Sequence, residues 1–139
     1  MLLALLAAGG LIHLIAPVGV LPDALPSAVG LPLIVAAIAL FMLSVREFSS
    51  HGTPVRGSEP ATNVVTSGPY RYSRNPIYLS MLLLEIGIAL MVNSVWLLVA
   101  VALMVAYLSL GVIAREERYL AGKFGEAYLH YKASVRRWL

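Results

Sequence analysis

Cysteine is absent from the 139 residues, which excludes disulfide frameworks, thiolate metal sites and a cysteine nucleophile. Charge is scarce too: 12% of residues are charged against 60% apolar, far from the soluble norm of about a quarter charged. No glycine-rich phosphate loop and no hydrolase elbow is present. His13, His51 and His130 are scattered without ligand spacing, so no metal is expected. Nothing suggests a nucleic-acid partner. The composition reads as an all-α integral membrane protein, and the length as a single domain over 1–139.

The apolar residues gather into runs that approach the roughly 20 residues needed to cross a hydrocarbon core. Leu2 to Leu21 carries no charge and contains Pro17 near its far end; no lysine or arginine precedes it, which favours a span over a signal peptide. His13 within it reads as a hydrogen-bonded core residue. A second run ends at Arg46 and Glu47, with Pro32 as a soft break. From Ile77 to Ala114 the chain is apolar enough for two spans, with Asn93 and Ser94 as the break between them. The expected architecture is therefore four transmembrane helices, over about 2–21, 28–45, 77–92 and 95–114. A cytoplasmic, re-entrant-like loop covers 46–76 and an interfacial amphipathic helix covers 115–139, divided at Gly122 and Gly125. Arg46, Arg56, Arg71 and Arg74 share one side with the six cations of the tail, while the opposite loops carry only Asp23. The positive-inside rule then places both termini in the cytoplasm of a cell that holds this protein in its inner membrane.

The stretch Ser67 to Tyr78, SGPYRYSRNPIY, stands out within the polar loop. Pro69 and Pro76 restrict their own φ and the residue before each, so the segment is a stiff connection, and Pro76 suits the first turn of the next helix. The loop that ends in it reads as a lid over a site, or else as a disordered linker. An ordinary interfacial belt accounts for the same Tyr and Arg, although such a belt needs neither paired prolines nor Gly68.

Glu85 follows about nine residues after Pro76, so a regular helix carries it roughly 13 Å inward. Arg74, Tyr78, Met81 and Glu85 fall on one helical stripe, a candidate polar track into the bundle. An ionisable group at that depth is either functional or a protonated packing residue. Glu116 and Glu117, at the exit of the last span, point about 100° apart, so one can face the bundle and the other water. On the residues alone, a solvated charge cluster is the favoured reading of this pair. Trp138, beside Arg136 and Arg137, reads as an interfacial anchor.

Taken together, SGPYRYSRNPIY, then Glu116 and Glu117 with Leu120, Phe124, Gly125, Tyr128 and Tyr131, and the ending VRRWL resemble the isoprenylcysteine carboxyl methyltransferase family and its phospholipid methyltransferase relatives. The resemblance runs from about Gly52 to Leu139. It implies a small helical membrane bundle that holds S-adenosylmethionine at its cytoplasmic end and admits a lipophilic acceptor from the bilayer, with membrane lipids around it. By position, Arg74, Asn75, Pro76 and Tyr78 match the family's Arg-His-Pro-x-Tyr element, and Glu116 and Glu117 match its paired glutamates. The implied roles are Arg74 in catalysis and Asn75, Pro76, Tyr78, Glu116 and Glu117 in cofactor binding, with Tyr70 supplying a further aromatic face. Asn75 stands where a histidine is commoner, and Val112 where many members have an arginine. A small transporter coupled through Glu85 and a non-catalytic membrane protein are the alternatives. A sterol-reductase-like enzyme fits less well, since Leu79, Ser80 and Met81 follow Tyr78 where a glutamate is usual.

Overall fold

The protein is described from a computed structural model that covers residues 2–22, 25–50 and 63–139. Its helices are α1 (Leu2–Ile15), α2 (Pro26–Ser50), α3 (Pro76–Met91), α4 (Val95–Tyr107), α5 (Ile113–Phe124) and α6 (Glu126–Ser134), with a short 3-10 turn at Gly68–Arg71. A wide π turn, Leu108–Val112, joins α4 to α5, so that one continuous helix runs from Val95 to Phe124.

The expected four-span bundle is not what forms. Among the described residues, only Ala28–Ser50, with 23 residues, and Val95–Phe124, with 30, are both long and apolar enough to cross a membrane. The 14 residues of α1 and 16 of α3 reach only about 21 and 24 Å at a helical rise, short of a core about 30 Å thick. The cause for α1 lies at Ala16. From there to Leu21 the chain abandons the helix, and its backbone is satisfied by the α3–α4 turn instead. Asn93 Oδ1 accepts from the amides of Val20 (2.7 Å) and Leu21 (2.8 Å), and its Nδ2 donates to the Leu21 carbonyl at 2.9 Å. Val95 N donates to the Val18 carbonyl, and the Trp96 indole to that of Ala16. Asn93 takes φ 55°, a left-handed conformation that asparagine tolerates, and the Ser94 hydroxyl accepts from Leu97 N to start α4.

Nor does the loop form the re-entrant element expected over 46–76. Its first residues, Arg46 to Ser50, extend α2. Residues 51–62, including His51 and Arg56, lie outside the described residues, as does Asp23. Val65 and Tyr70 are buried with Tyr128 and Tyr131 under Phe48, Leu120 and Phe124, so the stretch before α3 is packed rather than free. Gly68, at φ 56°, allows that stretch to lie on the end of α2, where an added Cβ would sit 2.9 Å from a Glu47 carboxylate oxygen. Glu47 also accepts a short hydrogen bond from the Ser67 hydroxyl. The tail likewise differs from a helix lying in the interface. Its first half continues α4, Gly125 breaks it, Gly122 does not, and Trp138 packs on the core of Leu82, Val101, Met104, Leu108 and Ile113 instead of reaching outward.

The bundle is held by a close α2–α3 pairing. Gly30, Ala37 and Ser44 on α2 are buried seven residues apart, as are Ser73, Ser80 and Gly87 on the α3 side. Gly30 lies opposite Gly87. Small residues in such ladders allow backbones to approach, the commonest device of apolar helix pairs that gain nothing from hydrophobic burial in lipid. A Cβ at Gly30 would sit 2.7 Å from the Gly87 carbonyl oxygen and 2.8 Å from Met91, whereas a Cβ at Gly10 would meet nothing within 4 Å. Gly30→Ala should therefore destabilise the protein by about 1–3 kcal/mol through overpacking. Thermal melts of the two variants in detergent check this: Gly10→Ala should melt at or above the wild-type temperature, and an equally unaffected Gly30→Ala would show that the close pairing contributes nothing.

Candidate functional site

The buried stripe of the long helix runs through Leu97, Val101, Met104 and Leu108 in steps of three and four. It then jumps five, to Ile113, before reaching Glu117. The π turn makes that jump by inserting one extra residue, which rotates everything after it by about 100°. Without it, Glu116 would take the place of Glu117 on the buried face. With it, Glu117 lies there, and the residue is only 6% exposed.

A buried carboxylate requires counter-charge, and three separate elements supply it. Arg137, in the extended strap Val135–Leu139, donates from Nε to Glu117 Oε1 and from Nη2 to Oε2, both at 2.9 Å. Lys132, on α6, places Nζ 3.2 Å from Oε2. Arg74, just before α3, places Nη1 3.0 Å from Oε1. The Arg74 contact is electrostatic and not an aligned hydrogen bond, so its buried Nε and Nη1 have no acceptor along their N–H directions. The three cations differ in access. The Arg74 side chain is 10% exposed, against 36% for Arg137 and 42% for Lys132.

The strap is positioned by the stiff element before α3. Arg74 N donates to the Arg136 carbonyl at 2.9 Å, and the Asn75 side-chain amide and the Ser73 hydroxyl both donate to the Arg137 carbonyl, at 3.0 and 3.3 Å. Pro76 occupies the first position of α3, where its missing N–H leaves no intrahelical partner unmet. One turn on, the Tyr78 hydroxyl donates to Glu116 Oε1 at 2.6 Å. The adjacent glutamates thus have different surroundings: Glu117 sits among cations, while Glu116 is held by a phenol.

Behind this cluster lies an aromatic layer. The Tyr131 hydroxyl donates to the Tyr70 carbonyl at 2.8 Å, and the Tyr70 ring packs 5.2 Å from that of Phe48, with its own hydroxyl buried and unpartnered. Burial raises the Tyr70 and Tyr131 phenols well above their ordinary range, so both are neutral donors. Burial also raises Tyr128, while the neighbouring Arg74 guanidinium pulls it partly back. Its hydrogen bond to Glu117 raises Arg137 further still, so that guanidinium keeps its charge at any working pH.

Of the residues singled out from the sequence, Arg74 and Glu117 come together, as do Tyr78 and Glu116. Asn75 and Pro76 shape the backbone between them, and Tyr70 sits in the aromatic layer rather than at the carboxylates. Glu85 is buried at 3% exposure with Oε1 unpartnered, on α3 and more than a turn from this cluster. Sequence reasoning missed Lys132 and Arg137 as partners of Glu117. No spacing rule links residues 15 and 20 apart across a helix break, and the run of cations in the tail was the only available sign. A shallow depression of about 570 Å³, lined by Thr66, Arg71, His130 and Ser134 among others, lies against Tyr131 and does not include the carboxylates.

Comparison with known proteins bears on this geometry. An uncharacterised protein of Haemophilus influenzae is 40% identical over 63 residues, which are 45% of this chain and all of that protein. The cobalt-zinc-cadmium resistance protein CzcN of Cupriavidus metallidurans is 40% identical over 63 residues, 45% of this chain but only 29% of that one. No solved structure matches. The phospholipid methyltransferase family model matches residues 25–127, a stretch that includes Arg74, Tyr78, Glu116 and Glu117 and stops before Lys132 and Arg137. Family membership implies S-adenosylmethionine as methyl donor, and with two long apolar helices it is consistent with a membrane-associated protein. With well over half of its length matched, the chain belongs to the phospholipid methyltransferase family.

Proposed function

We propose that the protein is an S-adenosylmethionine-dependent methyltransferase that acts at the cytoplasmic face of the membrane on a lipid-borne or prenylated acceptor. The observation that carries this reading is the meeting, in a family member, of two motifs about forty residues apart: Arg74 with Glu117, and Tyr78 with Glu116. S-adenosylmethionine supplies an electrophilic methyl group on a sulfonium, and direct displacement asks the protein mainly for positioning and water exclusion.

The residues fit that group. Arg74 presents two buried donors without aligned acceptors, suited to the carboxylate of the cofactor or to an anionic acceptor. Glu116 and Glu117 supply acceptors for hydroxyls or an ammonium, and Tyr78 and Tyr128 offer aromatic faces to a cation. Asn75 and Pro76 act through the backbone, one by holding the strap and the other by starting α3. Tyr70 supports this layer from behind. A carboxylate acceptor needs no general base, because it is already nucleophilic at neutral pH, and Arg74 then serves to orient it. The crowding of cations at this end of the bundle supports its facing the cytoplasm.

Two measurements test the reading. A charge-assisted hydrogen bond is worth about 1.5–3 kcal/mol. Calorimetric titration with S-adenosylmethionine should therefore show binding about 10- to 150-fold weaker in Glu117→Gln than in wild type. Glu85→Gln should bind the cofactor within about twofold of wild type, since Glu85 lies outside the cluster. Absence of binding to a folded wild-type protein would refute the assignment. Separately, Arg74→Lys keeps the charge and loses the planar fork, so turnover should fall while the melting temperature is maintained. Unchanged methyl transfer in both Arg74→Lys and Arg74→Ala would remove Arg74 from the site.

A further inference from the structure

Both oxygens of Glu117 are crowded by cationic nitrogens. A carboxylate offers about four lone-pair positions, and here Oε1 faces Arg137 Nε and Arg74 Nη1 while Oε2 faces Arg137 Nη2 and Lys132 Nζ. Any ligand donor that reaches Glu117 must therefore displace a protein donor. Arg74 is buried and fixed by the turn into α3, and it contributes no aligned bond to give up. Lys132 is held on α6 and occupies one oxygen only. Arg137 alone covers both oxygens, with two parallel donors, and it does so from an extended segment bound to the loop before α3 by just three hydrogen bonds.

We propose that Arg137 is an exchangeable plug: its guanidinium fork holds the place on Glu117 that the vicinal diol of the cofactor's ribose takes, and the strap shifts when the exchange occurs. This rests on the cofactor reading above and adds to it the group recognised and the segment that moves. The chemistry is complementary. Two N–H donors on one guanidinium edge and two O–H donors on adjacent ribose carbons present the same pattern to a carboxylate. The physical need for a plug is equally plain. The fork supplies the aligned hydrogen bonds of the buried carboxylate while the site is empty, and Arg74 and Lys132 keep its charge compensated after Arg137 has left. Trp138 follows Arg137 directly and packs on the Leu82–Ile113 core, so movement of the strap is reported by that indole.

The test uses the full chain in detergent, with S-adenosylhomocysteine as calorimetric probe and a Trp96→Phe background so that Trp138 is the only tryptophan. Arg137→Gln removes the plug and should bind the probe about tenfold more tightly than wild type, the factor expected when a site is blocked nine-tenths of the time. Arg137→Lys, a weaker plug that lacks the planar fork, should fall between the two and also guards against a folding defect in the glutamine variant. The gain should vanish for the 2′-deoxy form of the probe. In the Trp96→Phe protein with Arg137 intact, saturation with S-adenosylhomocysteine should shift Trp138 emission to the red. Weaker binding in both Arg137 variants with an unmoved Trp138 spectrum would make Arg137 a fixed part of the site and overturn the plug. An equal gain with the 2′-deoxy probe would overturn the diol assignment. A wild type and variants that all fail to bind would sink the cofactor reading itself, and the plug with it.

Discussion

One carboxylate, Glu117, imposes its requirements on the whole end of the molecule where it sits. Burial leaves it no water to share its charge, and in a weakly polarisable surrounding an isolated ion is too costly to keep. The fold meets this by drawing cations from three places that are remote in sequence: the stiff element before α3, the helix after Gly125, and the strap beyond it. Those contacts in turn dictate where the strap runs, which backbone carbonyls Ser73, Arg74 and Asn75 receive, and why Trp138 turns inward. The resulting cluster holds three positive groups for one negative, beside a second carboxylate tied to a phenol. A surplus of positive charge with spare buried donors is an arrangement ready for an anionic or zwitterionic ligand.

The scaffold that presents this cluster depends on two further devices. The ladder of small residues between α2 and α3 brings those backbones together, which fixes where the loop before α3 can emerge. At the opposite end, Asn93 gathers both the amides and the carbonyl of the segment after α1 and so replaces helical hydrogen bonds with tertiary ones. Between these ends the π turn in the long helix sets the rotational phase. A single inserted residue decides which of two adjacent glutamates enters the core.

Much of this was legible in the residues. The all-helical class, the break at Asn93 and Ser94 and the role of Pro76 at a helix start followed from apolar patterning and backbone restriction, whereas a shared site for the Arg74 motif and the glutamates was implied only by the family resemblance. Four spans did not follow. An apolar run of twenty residues shows that a segment avoids water, not that its backbone remains helical, and hydropathy is blind to an asparagine seventy residues away that satisfies the same amides.

By itself, then, the sequence determined what each segment could tolerate: which stretches shun water, where φ is restricted, and which side chains can carry charge into an apolar setting. Those are properties of single residues and near neighbours, and they are written locally. Only the tertiary structure decided which of ten cations would neutralise Glu117, that Glu116 would go to Tyr78, and that α1 would stop at Ile15. Such choices compare contacts between groups far apart in the chain, and their free energies arise only once packing has removed the water that would otherwise satisfy every candidate equally.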